Sequence, residues 1–235
     1  YAAPELKAVI CNAAMIKQEI IERFDVAPEK ITVIYNAIDS QKFLPANEEI
    51  RQQLRQKLQL PQQVRCLIFV GSGFERKGLA AAIKAVAPTN NHLMVIGQDK
   101  DEKKYRALAV SSGCSDRIHF MGIQKETLPF YQAADGLLLP TLYDPFPNVI
   151  LEAMACGLPV ITSKTCGGAE FITQGVNGFV TDALDVAALT SAIEQLPHQT
   201  LGSTMAEAAR AKILPYSPAS LSAQLIDLYQ RVLAK

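Results

Sequence analysis

Hydrophobic positions in this chain gather into short runs separated by segments with helical spacing. Val64–Gly71, Leu93–Gly97, Ile118–Gly122, Gly136–Leu142, Pro159–Ser163 and Gly178–Thr181 are apolar runs of strand length bounded by turn residues. Asp135–Tyr143, around the fourth, is apolar without alternation, as a strand buried on both faces should be. Helical spacing fills the intervals, as in Leu79–Val86 and in Gln124–Ala134 with Leu128 and Tyr131. Strand and helix in alternation predict an α/β domain, a parallel sheet with right-handed crossovers and helices on both faces. Upstream, Val9–Asn12 reads as a short strand and Ala14–Phe24 as an amphipathic helix with Ile16, Ile20, Ile21 and Phe24 on one side. A Pro28 loop and a strand Ile31–Tyr35 follow, then Asn36-Ala-Ile-Asp39 and Phe43 lead into a polar, Pro45-containing stretch up to Glu49. Pro218–Leu233 carries Leu221, Leu225, Leu228, Tyr229 and Val232 at helical spacing and is expected to pack as a helix.

Composition narrows the function. In 235 residues, 23 basic side chains balance 23 acidic ones, so the chain has no general attraction for nucleic acid or an anionic membrane, and phosphate binding must be local. Five cysteines, an odd number without a Cys-x2-Cys pair, indicate neither a disulfide framework nor a zinc site. No apolar run approaches the roughly 20 residues that span a bilayer, and a cytoplasmic protein is expected. The chain opens at Tyr1, just before strand-like Lys7–Cys11, and reads as a piece of something longer. The alternation from Val64 onward makes it a Rossmann-like domain.

Two segments carry candidate chemistry. After the first strand of that domain comes Gly71-Ser-Gly-Phe-Glu-Arg76-Lys77-Gly78, turning into the helix at Leu79. Gly71, Ser72 and Gly73 permit a tight turn and close approach of a ligand, and Arg76 and Lys77 stand beside the positive end of a helix, so a diphosphate is the natural guest. Gly-x-Gly alone is weak, and the segment lacks the Gly-Lys-Ser/Thr ending of a Walker loop. The second segment, Asp144-Pro-Phe-Pro-Asn-Val-Ile-Leu-Glu152-Ala-Met-Ala-Cys-Gly-Leu-Pro-Val-Ile161, puts one carboxylate in a loop and another eight positions later on an apolar helix. The loop follows a buried strand, where open α/β sheets bind ligands and helix amides can hold an anion or a sugar hydroxyl. Two carboxylates there suggest a hydroxyl-rich ligand, and Glu152, one turn into its helix, suits a vicinal diol. Asn148 and Val149 offer main-chain amides to phosphate or sugar. Gly122, closing a strand, leaves room for a ligand. No carboxylate cluster or Asp-x-Asp pair suggests a metal, and no His, Ser or Cys forms a visible nucleophile–base pair.

Together these motifs resemble the signature of the retaining, nucleotide-sugar-dependent glycosyltransferases of GT-B fold, including the sugar transferases of lipopolysaccharide core assembly. That family usually carries Glu-x7-Glu with Phe-Gly after the first Glu; here Asp144 stands first, and Phe146-Pro147 with Asn148 replaces Phe-Gly. The resemblance covers about residues 5 to 195 and implies the donor-binding carboxyl-terminal domain in residues 37–235. Residues 1–36 would then be the last β-α-β piece of an acceptor-binding domain and the start of the linker. It implies donor contacts at Gly71, Ser72, Gly73, Arg76, Lys77, Gly122, Ile123 (by main chain, to the base), Pro145, Phe146, Pro147, Asn148, Val149 and Glu152, with Asp144 catalytic. It further implies a UDP-sugar ahead of GDP- or ADP-sugars, a glycan or lipid-linked acceptor, no cofactor and no metal. Any membrane contact would be peripheral, through the missing domain. Cys166-Gly-Gly-Ala-Glu170 resembles the family's Gly-Gly-x-x-Glu turn near the cleft. A non-catalytic nucleotide-binding module, or an epimerase or phosphorylase on the same scaffold, fits the same motifs.

Overall fold

The computed structural model describes residues 6–197 and 200–234; Tyr1–Glu5, His198, Gln199 and Lys235 lie outside the described residues. Six strands form one parallel sheet: β3 (Cys66–Val70), β4 (His92–Ile96), β5 (Ile118–Gly122), β6 (Gly136–Leu139), β7 (Val160–Ser163) and β8 (Gly178–Thr181), in the order β5-β4-β3-β6-β7-β8. The first two, β1 (Val9–Cys11) and β2 (Ile31–Val33), pair in parallel as a separate ribbon around helix α1 (Ala14–Phe24). The chain direction reverses at the β3–β6 boundary, after two crossovers toward β5 and before two toward β8. Such a switch point leaves a crevice at the carboxyl ends of the strands, between diverging loops.

Both sheet faces are covered. One carries α3 (Leu79–Val86), α4 (Glu102–Ser111) and α7 (Val186–Glu194); the other carries α2 (Glu48–Lys57), α5 (Leu128–Ala133), α6 (Asn148–Ala155) and α8 (Thr204–Ile213). Double coverage explains the unbroken apolar strands: every residue of β3, β6 and β7 is buried. A continuous core runs from Cys66 to Ile213 and also takes in Ala13, Ile38 and Leu60, and a small second cluster of Cys11, Ile20, Val26 and Ile31 holds the β1-α1-β2 unit. The last helix, α9 (Pro218–Leu233), buries Leu228 but leaves Tyr229 and Leu233 exposed, so only part of its apolar spacing is used in packing. Phe24, expected on the packed side of α1, is likewise exposed, because the helix ends there and Asp25 takes a left-handed conformation (φ 50°).

Several expected elements are shorter. β6 stops at Leu139 because Pro140 has no amide hydrogen for the ladder, so Pro140–Tyr143 already belongs to the loop. The helix expected over Gln124–Ala134 begins at Leu128, and the strand Ile31–Tyr35 ends at Val33. Helix α2 is additional: Asn47 caps it, its side chain accepting from the Ile50 amide at 2.8 Å. Its Arg55, 1% exposed, donates to the Ala133 carbonyl at 2.9 Å and pairs with Asp135 at 2.5 Å, while Arg51 takes the second Asp135 oxygen at 2.5 Å. Asp135 also accepts from the Cys66 amide at 2.7 Å, so one carboxylate fastens α2 to the starts of β3 and β6.

Candidate functional site

The loop after β3 and the loop after β6 meet at the switch point. Residues 74–78 form a turn ahead of α3, and its carbonyl at Arg76 accepts from the Leu142 amide at 2.8 Å and from the Thr141 hydroxyl at 2.9 Å. Asp99, from the loop after β4, accepts the Phe74 amide at 2.7 Å and holds the outer side of the same turn. Those backbone bonds, with one to Asp101, depress the Asp99 carboxyl below its ordinary range. Gly78 is required here: its φ is +78°, and a Cβ would lie 1.8 Å from the Pro140 carbonyl oxygen. The two loops are therefore locked in register before any ligand arrives.

This register brings Arg76, Lys77 and Asp144 together, 67 to 68 positions apart in sequence. The Lys77 ammonium lies 2.5 Å from Asp144 Oδ2, and Arg76 donates to the same oxygen at 3.0 Å and to the Tyr143 carbonyl at 2.9 Å. Lys77 and Asp144 are nearly buried, with side chains 11% and 9% exposed, whereas the Arg76 side chain is 51% exposed. A buried ammonium and carboxylate persist because each neutralises the other. Both cations lie in the turn that opens α3, as expected, but they face Asp144 across the crevice.

Helix α6 starts just beyond. Its N-cap residue, Pro147, supplies no capping side chain, so the first amides of the helix lie without a side-chain acceptor. Asn148 and Val149 provide those amides, and the Asn148 side chain accepts from Asn36 Nδ2 at 2.6 Å. Glu152, one turn on, accepts from the Tyr131 hydroxyl at 2.8 Å. Burial raises the Glu152 carboxyl above the ordinary range, against the opposing pulls of the Tyr131 bond and Lys42. Tyr131 is fully buried and its phenol is pushed well above its ordinary value by burial and by Glu152.

The remaining expected contacts divide. Ser72 and Gly73 are exposed at the rim, and Gly71 sits above Lys77, where an added Cβ would meet Lys77 Cε at 3.2 Å. Gly122 (φ +68°) ends β5 with open space over its Cα, and Ile123 is 69% exposed, leaving its main chain accessible. Pro145 is exposed and Pro147 buried. Phe146 turns away from the crevice into an aromatic cluster with Tyr35 and Phe171, at centroid distances of 6.0 and 5.4 Å, leaving only its backbone for a ligand. Among the described residues no three His, Cys, Asp or Glu side chains converge as a metal site requires, and no helix is long and apolar enough to cross a membrane.

The family model for glycosyl transferases group 1 matches residues 50–212, the span that contains both loops. The chain belongs to this family. It is 36% identical to the lipopolysaccharide glucosyltransferase WaaG of Escherichia coli over 165 residues, covering 68% of this chain and 42% of that protein. It is 34% identical to the lipopolysaccharide core biosynthesis glycosyltransferase LpsE of Rhizobium meliloti over 143 residues, covering 60% of this chain and 42% of that protein. The chain spans about half the length, or less, of these relatives. The crystal structure of WaaG superimposes with a TM-score of 0.81 at 28% identity, covering 93% of this chain and 61% of that one. A glycosyltransferase from Rickettsia africae superimposes with a TM-score of 0.88 at 19% identity, covering 97% and 64%. Both bear out the α/β sheet with helices on both sides as half of a GT-B fold. Anabaena HepE, solved with UDP-glucose, shares the fold at a TM-score of 0.82 and 23% identity, covering 96% of this chain and 64% of that one.

Proposed function

We propose that residues 37–235 form the donor-binding half of a retaining hexosyltransferase that takes its sugar from a UDP-sugar without a metal and passes it to a glycan or lipid-linked acceptor of lipopolysaccharide type. The reading is carried by one observation, the convergence of Lys77 and Arg76 on Asp144 at the switch point, directly before the uncapped start of α6. Two cations and a set of helix amides suit the departing diphosphate: Lys77 and Arg76 take its charge, and Asn148 and Val149 donate main-chain hydrogen bonds. Glu152 binds the ribose diol with the oxygen that Tyr131 does not occupy, and the Tyr131 bond fixes the orientation of the carboxylate. The base lies over Gly122 and against the Ile123 main chain. Asp144 is the catalytic residue. Released from part of its ion pairing when the diphosphate arrives, it faces the hexose and balances the charge of an oxocarbenium-like anomeric carbon. Gly71, Ser72, Gly73, Pro145 and Pro147 shape the walls. UDP and UDP-glucose in HepE, and the glucosyltransferase name of WaaG, support the choice of nucleotide and sugar class.

Calorimetric titration with UDP, GDP and ADP, each with a chelator and then with added magnesium, tests this. UDP is expected to bind in the chelator, more tightly than the other two. Binding that appears only with magnesium, or no preference for UDP, overturns the assignment.

A further inference from the structure

Helix α1 lacks its own start signal. Its N-cap residue, Ala13, is fully buried and has no side-chain oxygen to offer, and the first turn contains no acid. The orphan amides are satisfied from 155 residues away: Glu170 Oε1 accepts from Met15 at 2.8 Å, and Oε2 accepts from Ala14 at 3.0 Å and from the Tyr35 hydroxyl at 2.7 Å. One carboxylate thus supplies in trans what a Ser, Thr or Asp at the N-cap supplies in most helices, and its charge complements the positive helix end.

Glu170 sits on the short turn Gly167–Phe171, and that turn is fastened to the back of the donor loop. The Gly167 amide donates to the Asp144 carbonyl at 2.9 Å, and the Asp144 amide donates to Thr165 at 3.1 Å. Nothing larger than glycine fits at 167, where a Cβ would lie 1.9 Å from the Pro145 carbonyl oxygen and 2.7 Å from Ala13 Cβ. Two more bonds follow the same route: Tyr143 donates to Glu19 at 2.9 Å, and Asn36 donates to Asn148 at 2.6 Å. The residue before Asp144, the turn behind it and the first residue of α6 are all tied to α1 or its linker.

We infer that Glu170 is a positioning residue that caps α1 in trans and transmits the state of the Asp144 loop to the β1-α1-β2 unit. The transmission rests on the donor-loop reading above; the cap does not. Glu170 touches none of the groups assigned to the donor, so its effect reaches the site indirectly, through the turn behind Asp144 and through Tyr35 packed against Phe146.

Residue-resolved hydrogen exchange on the chain, as wild type, Glu170→Ala and Glu170→Gln, tests both parts. In Glu170→Ala the Ala14 and Met15 amides should exchange at least fivefold faster while β3–β8 protection is unchanged, with Glu170→Gln intermediate because its amide oxygen still accepts. Unchanged exchange at those two amides, or equal losses across the large sheet, overturns the cap. Saturating UDP should alter exchange at Ala14 and Met15 at least twofold in wild type and not in Glu170→Ala, with UDP affinity in the two chains within twofold. Asp144→Asn perturbs the loop without any ligand and should alter the same amides at least twofold, again only when Glu170 is present. No response to Asp144→Asn in the wild-type background overturns the transmission. Absence of UDP binding in wild type overturns the donor reading and leaves the cap and the Asp144→Asn arm to decide the inference.

Discussion

The Lys77–Asp144 pair makes a quantitative prediction, because its burial and its third partner are both defined. Removing one member of a buried pair leaves an uncompensated charge, at a cost of about 3 to 5 kcal/mol. Lys77→Met leaves Asp144 with Arg76 at 3.0 Å, but that side chain is 51% exposed and screened, so it recovers only part. A loss of about 2 kcal/mol is expected, and about 3 for Asp144→Asn, which strands two cations on a neutral amide. The double variant leaves only the half-solvated Arg76 and should cost about 2 kcal/mol, so the coupling between the sites is about 3 kcal/mol. Urea unfolding followed by far-ultraviolet circular dichroism measures this, since the chain has no tryptophan. Single-variant losses that add to within about 0.5 kcal/mol of the double would refute the buried-pair reasoning. The same variants bear on the ligand. Asp144 competes with any diphosphate for Lys77, so Asp144→Asn should leave UDP as tight or up to about tenfold tighter, whereas Lys77→Met should weaken it by about 1.5 to 3 kcal/mol, as for a lost charged hydrogen bond. Neither should change uridine binding, and a loss of UDP affinity in Asp144→Asn would contradict the competition.

Two further predictions follow from burial. Burial opposes the charged form of Glu152, so Glu152→Gln should raise the thermal midpoint of the ligand-free chain at neutral pH while weakening UDP and uridine alike; a lowered midpoint, or a loss confined to UDP, counts against the diol role. In wild type the raised Glu152 carboxyl should make uridine affinity fall as pH drops through a window above the ordinary carboxylate range, a fall absent in Glu152→Gln. His92 and His119, stacked on neighbouring strands with Nδ1 and Nε2 2.8 Å apart, are both held below the ordinary histidine value, chiefly by burial. For a base with a depressed folded value, stability is complete above the ordinary pKa of about 6.5 and is lost as pH falls from there toward the folded values. The unfolding midpoint should therefore drop below about pH 6.5, and His119→Gln should flatten that drop; an equally steep profile in the variant rejects the pair as its source.

The sheet and the two loops that meet at its switch point were legible because they depend on local signals: unbroken apolar runs, glycines at turns, and an acid eight positions from another on an apolar helix. What was not legible depends on contacts distant in sequence. Helix α2 was not foreseen: the polar stretch was read only up to Glu49, and the helix's one buried side chain is Arg55, which looks like surface until Asp135 stands opposite. Asp99 gave no signal beyond a polar loop, although it holds the turn at residues 74–78. Glu170 was visible as the end of a Gly-Gly-x-x-Glu turn, but its partners are amides of α1 in the other unit. Phe146 was placed among the donor contacts by its position beside Asp144, and the structure turns its ring toward Tyr35 and Phe171 because an apolar ring gains more in that cluster than at a wet crevice.

On the proposed donor reading, the ion-paired Asp144 also accounts for how a neutral chain could offer a diphosphate two cations. Two cations held close together in a half-buried crevice repel one another and would push the loops apart. Asp144 supplies a resident anion that offsets this repulsion and holds Lys77 and Arg76 in place. In the proposed function a diphosphate would replace that anion at the cations, and the carboxylate would give up its strongest partner as a sugar reaches it, leaving its negative charge least compensated where positive charge develops. The shorter side chain fits this exchange: Asp144 already meets Lys77 at 2.5 Å from a backbone locked by Thr165 and Gly167. A glutamate there would need to fold back to make the same contact. Asp144→Glu should thus loosen the empty site, lowering the stability coupling to Lys77 while leaving the charge count unchanged; a coupling equal to that of the aspartate would show that loop position rather than side-chain length sets the pair.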